Sequence, residues 1–432
     1  MIPVDSAPPV IGRMPEALLD MLGLFRRMHR RYGPRFWSQV GTLRVLTLMD
    51  PDDIAQVLRN EGDVFSNRDG WRLFLDHVFP GALLSMDGDE HRLQRRIMQQ
   101  AFTNGAIRDY VARMTPTLRA GLDTMTGRGG LVRVYPAMRS LTLDVACSTF
   151  MSLQAGRQAS QLRRAFVTLV DASITPLRAD IPLTLFHRAQ GARAVLDAFF
   201  LQRLAERREK PASDLLGYLA EARTETGERF DDKAVVDQMI FLMMAAHDTS
   251  TSTLTTVVSC LAEHHEWQAR LRLISQSLPD ELDADALQQL ELHNAVIREA
   301  LRLRPPLPVM ARGVRQTTRI ADEEIPAGSL INLPTLWVHH DPKLWTNPEQ
   351  FDPERFLEPR EEHRRHRHAW MPFGGGAHQC IGQRFGTLEI TLALHLLLRR
   401  ARWKTIAGIR YPWVQAPIVR PIGGLPVWMT RV

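Results

Sequence analysis

The stretch that decides the reading is Phe373-Gly-Gly-Gly-Ala-His-Gln-Cys380-Ile-Gly382. Consecutive glycines let the backbone approach a bulky group and adopt dihedrals closed to other residues. They also leave backbone N–H groups free to point at the Cys380 sulfur. Residues 381–400 then repeat with helical period, with Ile381, Phe385, Leu388 and Leu392 on one face. Cys380 therefore stands just before a helix N-terminus, where the dipole favours a thiolate. A thiolate held in this way suits iron. Phe373, Gly376, Cys380 and Gly382 follow one another at spacings of 3, 4 and 2, an order that a plain glycine turn has no reason to keep.

Working outward, two further motifs precede this loop. Glu299-Ala-Leu-Arg302 puts a carboxylate and a guanidinium three apart on a helix, close enough to pair. Surface pairs of this kind are common and worth little, so the motif is weak alone. Ala245-Ala-His-Asp248-Thr249-Ser250 interrupts an apolar helix at its middle. A buried acid there is costly unless it serves something, and no helix end is near for it to cap.

The loop, taken with these motifs in this order, resembles the cytochrome P-450 family along essentially the whole chain. The resemblance implies one haem-enclosing unit over 1–432, mainly α with a smaller β region. The haem (haem b, iron protoporphyrin IX) would lie between the long oxygen-binding helix and the helix after the cysteine. Cys380 would be the iron ligand, with Phe373 and Gly382 among the residues that bind the cofactor. Glu299, Arg302 and a third partner, Arg355 in Pro353-Glu-Arg355-Phe356, would lock the segment carrying that loop, a structural role. Thr249 would hydrogen-bond the dioxygen and Asp248 would relay protons, since oxygen activation consumes two. His91, Arg95, Arg312 and His378 match positions that hold the haem propionates, although many members carry Trp where this chain has His91. Arginine forks suit carboxylates.

Composition agrees. The 432 residues are 44% hydrophobic, ordinary for a globular chain. There are three cysteines, an odd number without metal-finger spacing, so neither a disulfide framework nor a zinc site is expected. Cys147 and Cys260 read as buried small apolar residues. His363, His366 and His368 do not form a paired zinc pattern with Cys380. Net charge is +6, nearly all of the positive charge arginine and dispersed, with no nucleic-acid-binding module. An acidic protein partner fits a basic surface better. The proline-broken N-terminus lacks the pattern of a signal peptide or a membrane anchor. Met239–Ala246 is apolar but runs at once into His247 and Asp248, as a buried helix would. A cytoplasmic, soluble protein is expected.

Along the chain, residues 15–300 read mainly helical. The α-rich part is placed at about 85–306 and 381–400, and the β-rich part at 38–65 and 307–340 with a C-terminal hairpin. Residues 38–50 read as a strand pair and 63–84 as an irregular segment with short helical pieces. Residues 231–263 read as one long helix capped by Asp231 or Asp232, and 285–304 as another, stopped by Pro305 and Pro306. The tail turns at Gly423–Gly424, and 359–368 (PREEHRRHRH) reads as a charged surface segment.

The implied reaction inserts one oxygen atom from O2 into a lipophilic molecule of terpenoid, steroid or fatty-chain type. Electrons would come from a separate ferredoxin and its NAD(P)H-driven reductase, because no such module is fused. Arg95, Arg96 and Arg384 would offer the ferredoxin a basic landing face. The pocket would be lined by Trp71, Phe74, Val78, Leu83, Met243, Met244, Ala245, Val309, Met310 and Ile422, mostly apolar. Two rivals keep the haem-thiolate site: an isomerase or dehydratase acting on a peroxide, and a non-catalytic sensor.

Overall fold

Asp231 accepts a hydrogen bond from the Ala234 amide at 2.9 Å and so starts the long helix, Asp232–Glu263. Of the two acids expected as cap, the first serves. The 32 residues span about 48 Å at 1.5 Å each. The helix is buried on nearly all sides and packs against Val134–Met151, Leu185–Glu209, Glu291–Leu303 and Gln383–Arg400. Its run of hydroxyl residues is buried without loss because threonines bond back one turn. Thr251 donates to His247 O at 2.8 Å, Thr253 to Thr249 O at 2.8 Å and Thr255 to Thr251 O at 2.7 Å.

The computed structural model describes residues 2–5, 13–40, 43–75, 78–153, 157–173, 180–409 and 411–432. A five-stranded sheet orders Arg35–Val40, Leu43–Leu48, Leu330–Leu333, Met310–Val314 and Phe65–Ser66. In this sheet only the pair Leu43–Leu48 with Leu330–Leu333 is parallel, with Val45 opposite Leu330. The strands come from the two regions expected to be β-rich, although the first begins at Arg35 and a helix, Pro51–Arg59, lies between its parts.

Three boundaries differ from expectation. Residues 285–304 divide into Ala284–Gln288 and Glu291–Leu303, because Asp283 caps a short first helix and Asn294 Nδ2 bonds the Gln288 carbonyl. The helix after the cysteine starts at Gln383, because the Gly382 amide turns to the Cys380 sulfur instead. The terminal hairpin is Trp413–Val414 with Arg420–Pro421, ahead of Gly423–Gly424. The last strand, Pro426–Arg431, pairs with Gly130–Arg133 and Ala401–Thr405, where its apolar face is covered.

Candidate active site

The cysteine loop is built by backbone. Gly374 and Gly376 have φ of +71° and +67°, in the left-handed region. A Cβ on Gly376 would sit 2.0 Å from Leu58 O, so no other residue fits. The Cys380 amide donates to Phe373 O at 2.9 Å and the Gly374 amide to Met371 O at 3.0 Å. His339 Nε2 accepts from the Met371 amide at 2.9 Å, tying the loop to the segment before it.

Cys380 differs from the other thiols. Cys147 and Cys260 are buried, and burial pushes both up to about 12. Cys380 is exposed, yet burial among surrounding chain still raises its thiol. The Gly382 amide and the Arg95 guanidinium favour the thiolate.

Beside it stands a group of cations from three elements. His91 and Arg95 lie one turn apart on the helix Gly88–Gln99, Arg312 on the strand Met310–Val314, and His378 in the turn Gly376–His378. The His91 and His378 rings are 3.8 Å apart. Arg312 is 6% exposed and, among the described residues, donates to the neighbouring Ala311 carbonyl at 2.8 Å and to no other acceptor. His91 Nε2 is buried without a partner. Burial and then mutual repulsion hold His91 down to about 4 and His378 to about 2, and burial holds Arg312 down to about 10. The nearest carboxylate, Asp87, is 3.7 Å from His378 Nε2 but is already used by Ser66, the Asn67 amide and Arg315. Among the described residues the cluster has no carboxylate to itself, and two carboxylates are what haem propionates bring. The residues present fit the group.

The locking triad forms, with more members than expected. Glu299 accepts from Arg302 Nε at 2.7 Å and Nη2 at 2.9 Å, and from Arg355 Nε at 3.1 Å. Arg302 Nη1 donates to the His339 and Pro348 carbonyls at 2.7 and 2.8 Å. Arg355 Nη1 reaches Glu362 Oε2 at 3.0 Å, and both guanidiniums lie over Trp345. Glu362 corrects the reading of 359–368 as surface. It is buried because Arg355 needs a second carboxylate, and it also accepts from the Thr346 amide and Arg360. Nothing in the local sequence sets Glu362 apart from Glu361.

On the long helix Thr249 donates to Ala245 O at 2.7 Å. Asp248 is buried and turns to His247, with Nδ1 2.9 Å from Oδ1. Two residues after Asp248, Ser250 donates to Glu389 Oε2 at 2.6 Å and joins the long helix to Gln383–Arg400. Glu389 is buried, and burial pushes it up to about 8, so near neutrality it keeps its proton. In the sequence His247 and Ser250 have no role of their own within the motif, and Glu389 looks like an ordinary helix residue.

The expected pocket residues spread over two apolar clusters. Trp71, Val78, Leu83, Met243, Met244 and Ala245 share one, and Val309 and Met310 the other. Gly374, with Met310 Sδ 3.4 Å from its Cβ position, brings the second beside the cysteine loop. Ile422 is 46% exposed. The side chain of Phe74 lies outside the described residues. One small cavity borders Met243 and Cys147 and another borders Val78 and Arg193, both away from Cys380. Of the landing-face arginines, Arg96 is exposed and pairs with Glu225, Arg384 meets Asn104, and Arg95 is only partly exposed beside the thiol. Among the described residues no helix is long and apolar enough to cross a membrane, and no His/Cys/Asp/Glu group would hold a metal by itself.

The family model described as Cytochrome P450 matches residues 3–417. The Mycobacterium tuberculosis (H37Rv) protein given the name cytochrome P450 136 is 36% identical over 429 residues, 98% of this chain and 87% of its own. Abscisic acid 8'-hydroxylase 1 of Oryza sativa subsp. japonica is 27% identical over 421 residues, 94% of this chain and 85% of its own. The solved structure of retinoic acid-bound cyanobacterial CYP120A1 superposes with a TM-score of 0.88 at 28% identity, over 100% of this chain and 99% of that one. A loop built for a thiolate, an anion-hungry cluster beside it and these likenesses lead to one conclusion: the chain belongs to the cytochrome P450 family of haem-dependent monooxygenases.

Proposed function

We propose that this monooxygenase binds haem b through Cys380 and inserts one oxygen atom from O2 into a lipophilic small molecule, with electrons from a separate ferredoxin and its NAD(P)H-driven reductase in the cytoplasm. One observation carries the reading: Cys380 is exposed although chain surrounds it, beside a cation cluster that has, among the described residues, no carboxylate to itself, since Asp87 is already engaged by Ser66, Asn67 and Arg315. When bound, haem supplies an iron centre for oxygen activation, and a thiolate ligand favours O–O cleavage. The chain does the rest. Gly382 and Arg95 hold the sulfur as a thiolate. His91, Arg95, Arg312 and His378 bind the propionates. Asp248 moves protons toward the Thr249 hydroxyl. The apolar residues around Met243 to Ala245 and Val309–Met310 bind the substrate and exclude water.

We read the chain as one unit over 1–432. Its sheets support this, joining segments as far apart as Arg35–Leu48 with Met310–Leu333 and Gly130–Arg133 with Pro426–Arg431. One relative is named for abscisic acid and another was solved with retinoic acid bound, and these two acids head a test panel with a sterol and a fatty acid.

The test is the spectrum of the reduced protein with carbon monoxide. A strongly red-shifted Soret band is expected, lost in Cys380→Ser. A band at the position of histidine-ligated haem in the wild type would overturn the reading. A spin-state shift with one panel member, followed by its NAD(P)H-dependent oxidation, assigns the substrate class; turnover without NAD(P)H consumption would point to an isomerase.

A further inference from the structure

The cysteine loop and its surroundings leave the three-stranded sheet of Gly130–Arg133, Pro426–Arg431 and Ala401–Thr405 without a task. Ala401 follows directly on the helix Gln383–Arg400, so the sheet stands about 27 Å along that helix from the cysteine loop. One face of the sheet is core, with Val427, Met429, Ala401 and Trp403 buried. The residues between them point the other way. Register sets Leu131, Trp428 and Lys404 in one row across the strands, with Thr430 beside Arg402 in the next row and Pro426 beside Arg133 in the one before. Trp428 is 51% exposed and Leu131 58%, and of the nine tryptophans only Trp428 is exposed. Its indole N–H has no partner among the described residues.

The charge around this apolar pair has one sign. Residues 124–143 carry Arg128, Arg133 and Arg139, and residues 401–432 carry Arg402, Lys404, Arg410, Arg420 and Arg431, while neither stretch has an Asp or Glu. Among the described residues Arg128, Arg402, Lys404 and Arg431 have no ion pair, and Arg133 donates only to the Gly423 carbonyl, at 3.3 Å. Elsewhere exposed arginines meet carboxylates, as Arg27 meets Glu16 and Asp20, and Arg92 meets Asp63 and Asp89. A second copy of the chain would set like charges face to face. The cations are spread over three strands, so a field of mobile phosphates suits them better than one fixed pattern of carboxylates. An indole and a leucine side by side suit the boundary between headgroups and acyl chains.

We infer that the outer face of this sheet is a docking surface for an anionic lipid bilayer. Arg133, Arg402 and Lys404 lie among the headgroup phosphates, and Trp428 and Leu131 enter the interface between them. The contact is peripheral and reversible, because two apolar side chains and a few cations bury little. It uses none of the residues assigned to the cofactor or to the substrate, and it stands apart from the haem reading.

The experiment is cosedimentation of the full-length, haem-loaded protein with vesicles of phosphatidylcholine alone, or of phosphatidylcholine and phosphatidylglycerol in equal parts. Binding is expected only to the second, and should be released in about 1 M salt, where the Debye length falls to about 3 Å. Trp428→Thr, Arg402→Thr and Lys404→Thr each place a strand-compatible residue at an exposed position, and an unaltered urea midpoint checks their fold. Each lost cation should weaken binding about fivefold. Trp428→Thr should remove the extra fluorescence quenching that wild type shows with brominated acyl chains. No binding to the anionic vesicles overturns the inference. So does binding that all three variants keep in full, because another face would then be at work. Tighter binding to soluble polyglutamate or to a single-stranded oligonucleotide than to the vesicles also overturns it, in favour of an acidic protein or a nucleic acid. The carbon monoxide spectrum that tests the haem reading depends on none of these outcomes.

Discussion

Two clusters of cations, one around Glu299 and one around Arg312, are finished differently. Around Glu299, every guanidinium has a carboxylate, a row of carbonyls and an indole face. Arg302 and Arg355 share Glu299, Arg355 also has Glu362, and both lie over Trp345. Around Arg312 the cations face each other instead, with an orphan ring nitrogen on His91 and only a borrowed carboxylate, Asp87. A satisfied charge network fixes a shape, whereas an unsatisfied one waits for a ligand. Breaking the first should damage the fold, and breaking the second should damage the cofactor site while relieving the chain itself.

The largest effect is expected from Glu299→Gln. It leaves two buried guanidiniums short of charge, and removing one partner of a buried pair costs about 3–5 kcal/mol. The urea midpoint should fall and haem content should fall with it. A variant of normal stability would show that the triad does not lock the loop. Arg312→Met should do the reverse on the two readouts. Losing a charge-assisted bond worth about 1.5–3 kcal/mol weakens haem retention by roughly ten- to a hundredfold, measured by transfer to apomyoglobin. The haem-free chain should meanwhile unfold at higher urea, because an unpaired buried charge has gone. If Arg312→Met destabilises the haem-free chain as Glu299→Gln does, the contrast is wrong.

The smallest effect is a pH dependence. His91 is held down to about 4 and His378 to about 2 by burial and by their cationic neighbours. Both are bases whose folded values lie below the ordinary 6.5. Above 6.5 they contribute nothing. As pH falls below it the unfolded chain takes up protons first, so the haem-free chain loses stability down to about 4 through His91. The slope for one such group is at most about 1.4 kcal/mol per pH unit. Bound propionates favour the protonated rings, so the haem-loaded protein should lose less between pH 7 and 5. Equal losses in the two forms would mean the rings do not meet the propionates.

Much of the site is legible because its chemistry is local. The cysteine loop works through glycines and amides within ten residues, and its spacing is visible in the chain. Asp231 is readable as a cap for the same reason, since the bond it accepts runs to Ala234. Glu299 and Arg302 pair three apart on one helix. The hairpin at the C-terminus was misplaced because Gly423–Gly424 signals a turn without saying which strand follows it home. Pro426–Arg431 finds its partners at Gly130–Arg133 and Ala401–Thr405.

The sequence by itself determined the thiolate loop, the long helix and the first two members of the triad, because each depends on neighbours within a turn or two. Only tertiary structure decided that Glu362 is buried under Arg355, while Glu361 beside it makes its ion pair with Arg364 on the surface. Only tertiary structure brought His91, Arg312 and His378 together from a helix, a strand and a turn more than sixty residues apart at the least. Their positive charge is written in the sequence. That it is left uncompensated is a property of packing, because whether a cation is paired depends on which carboxylates the fold brings within reach.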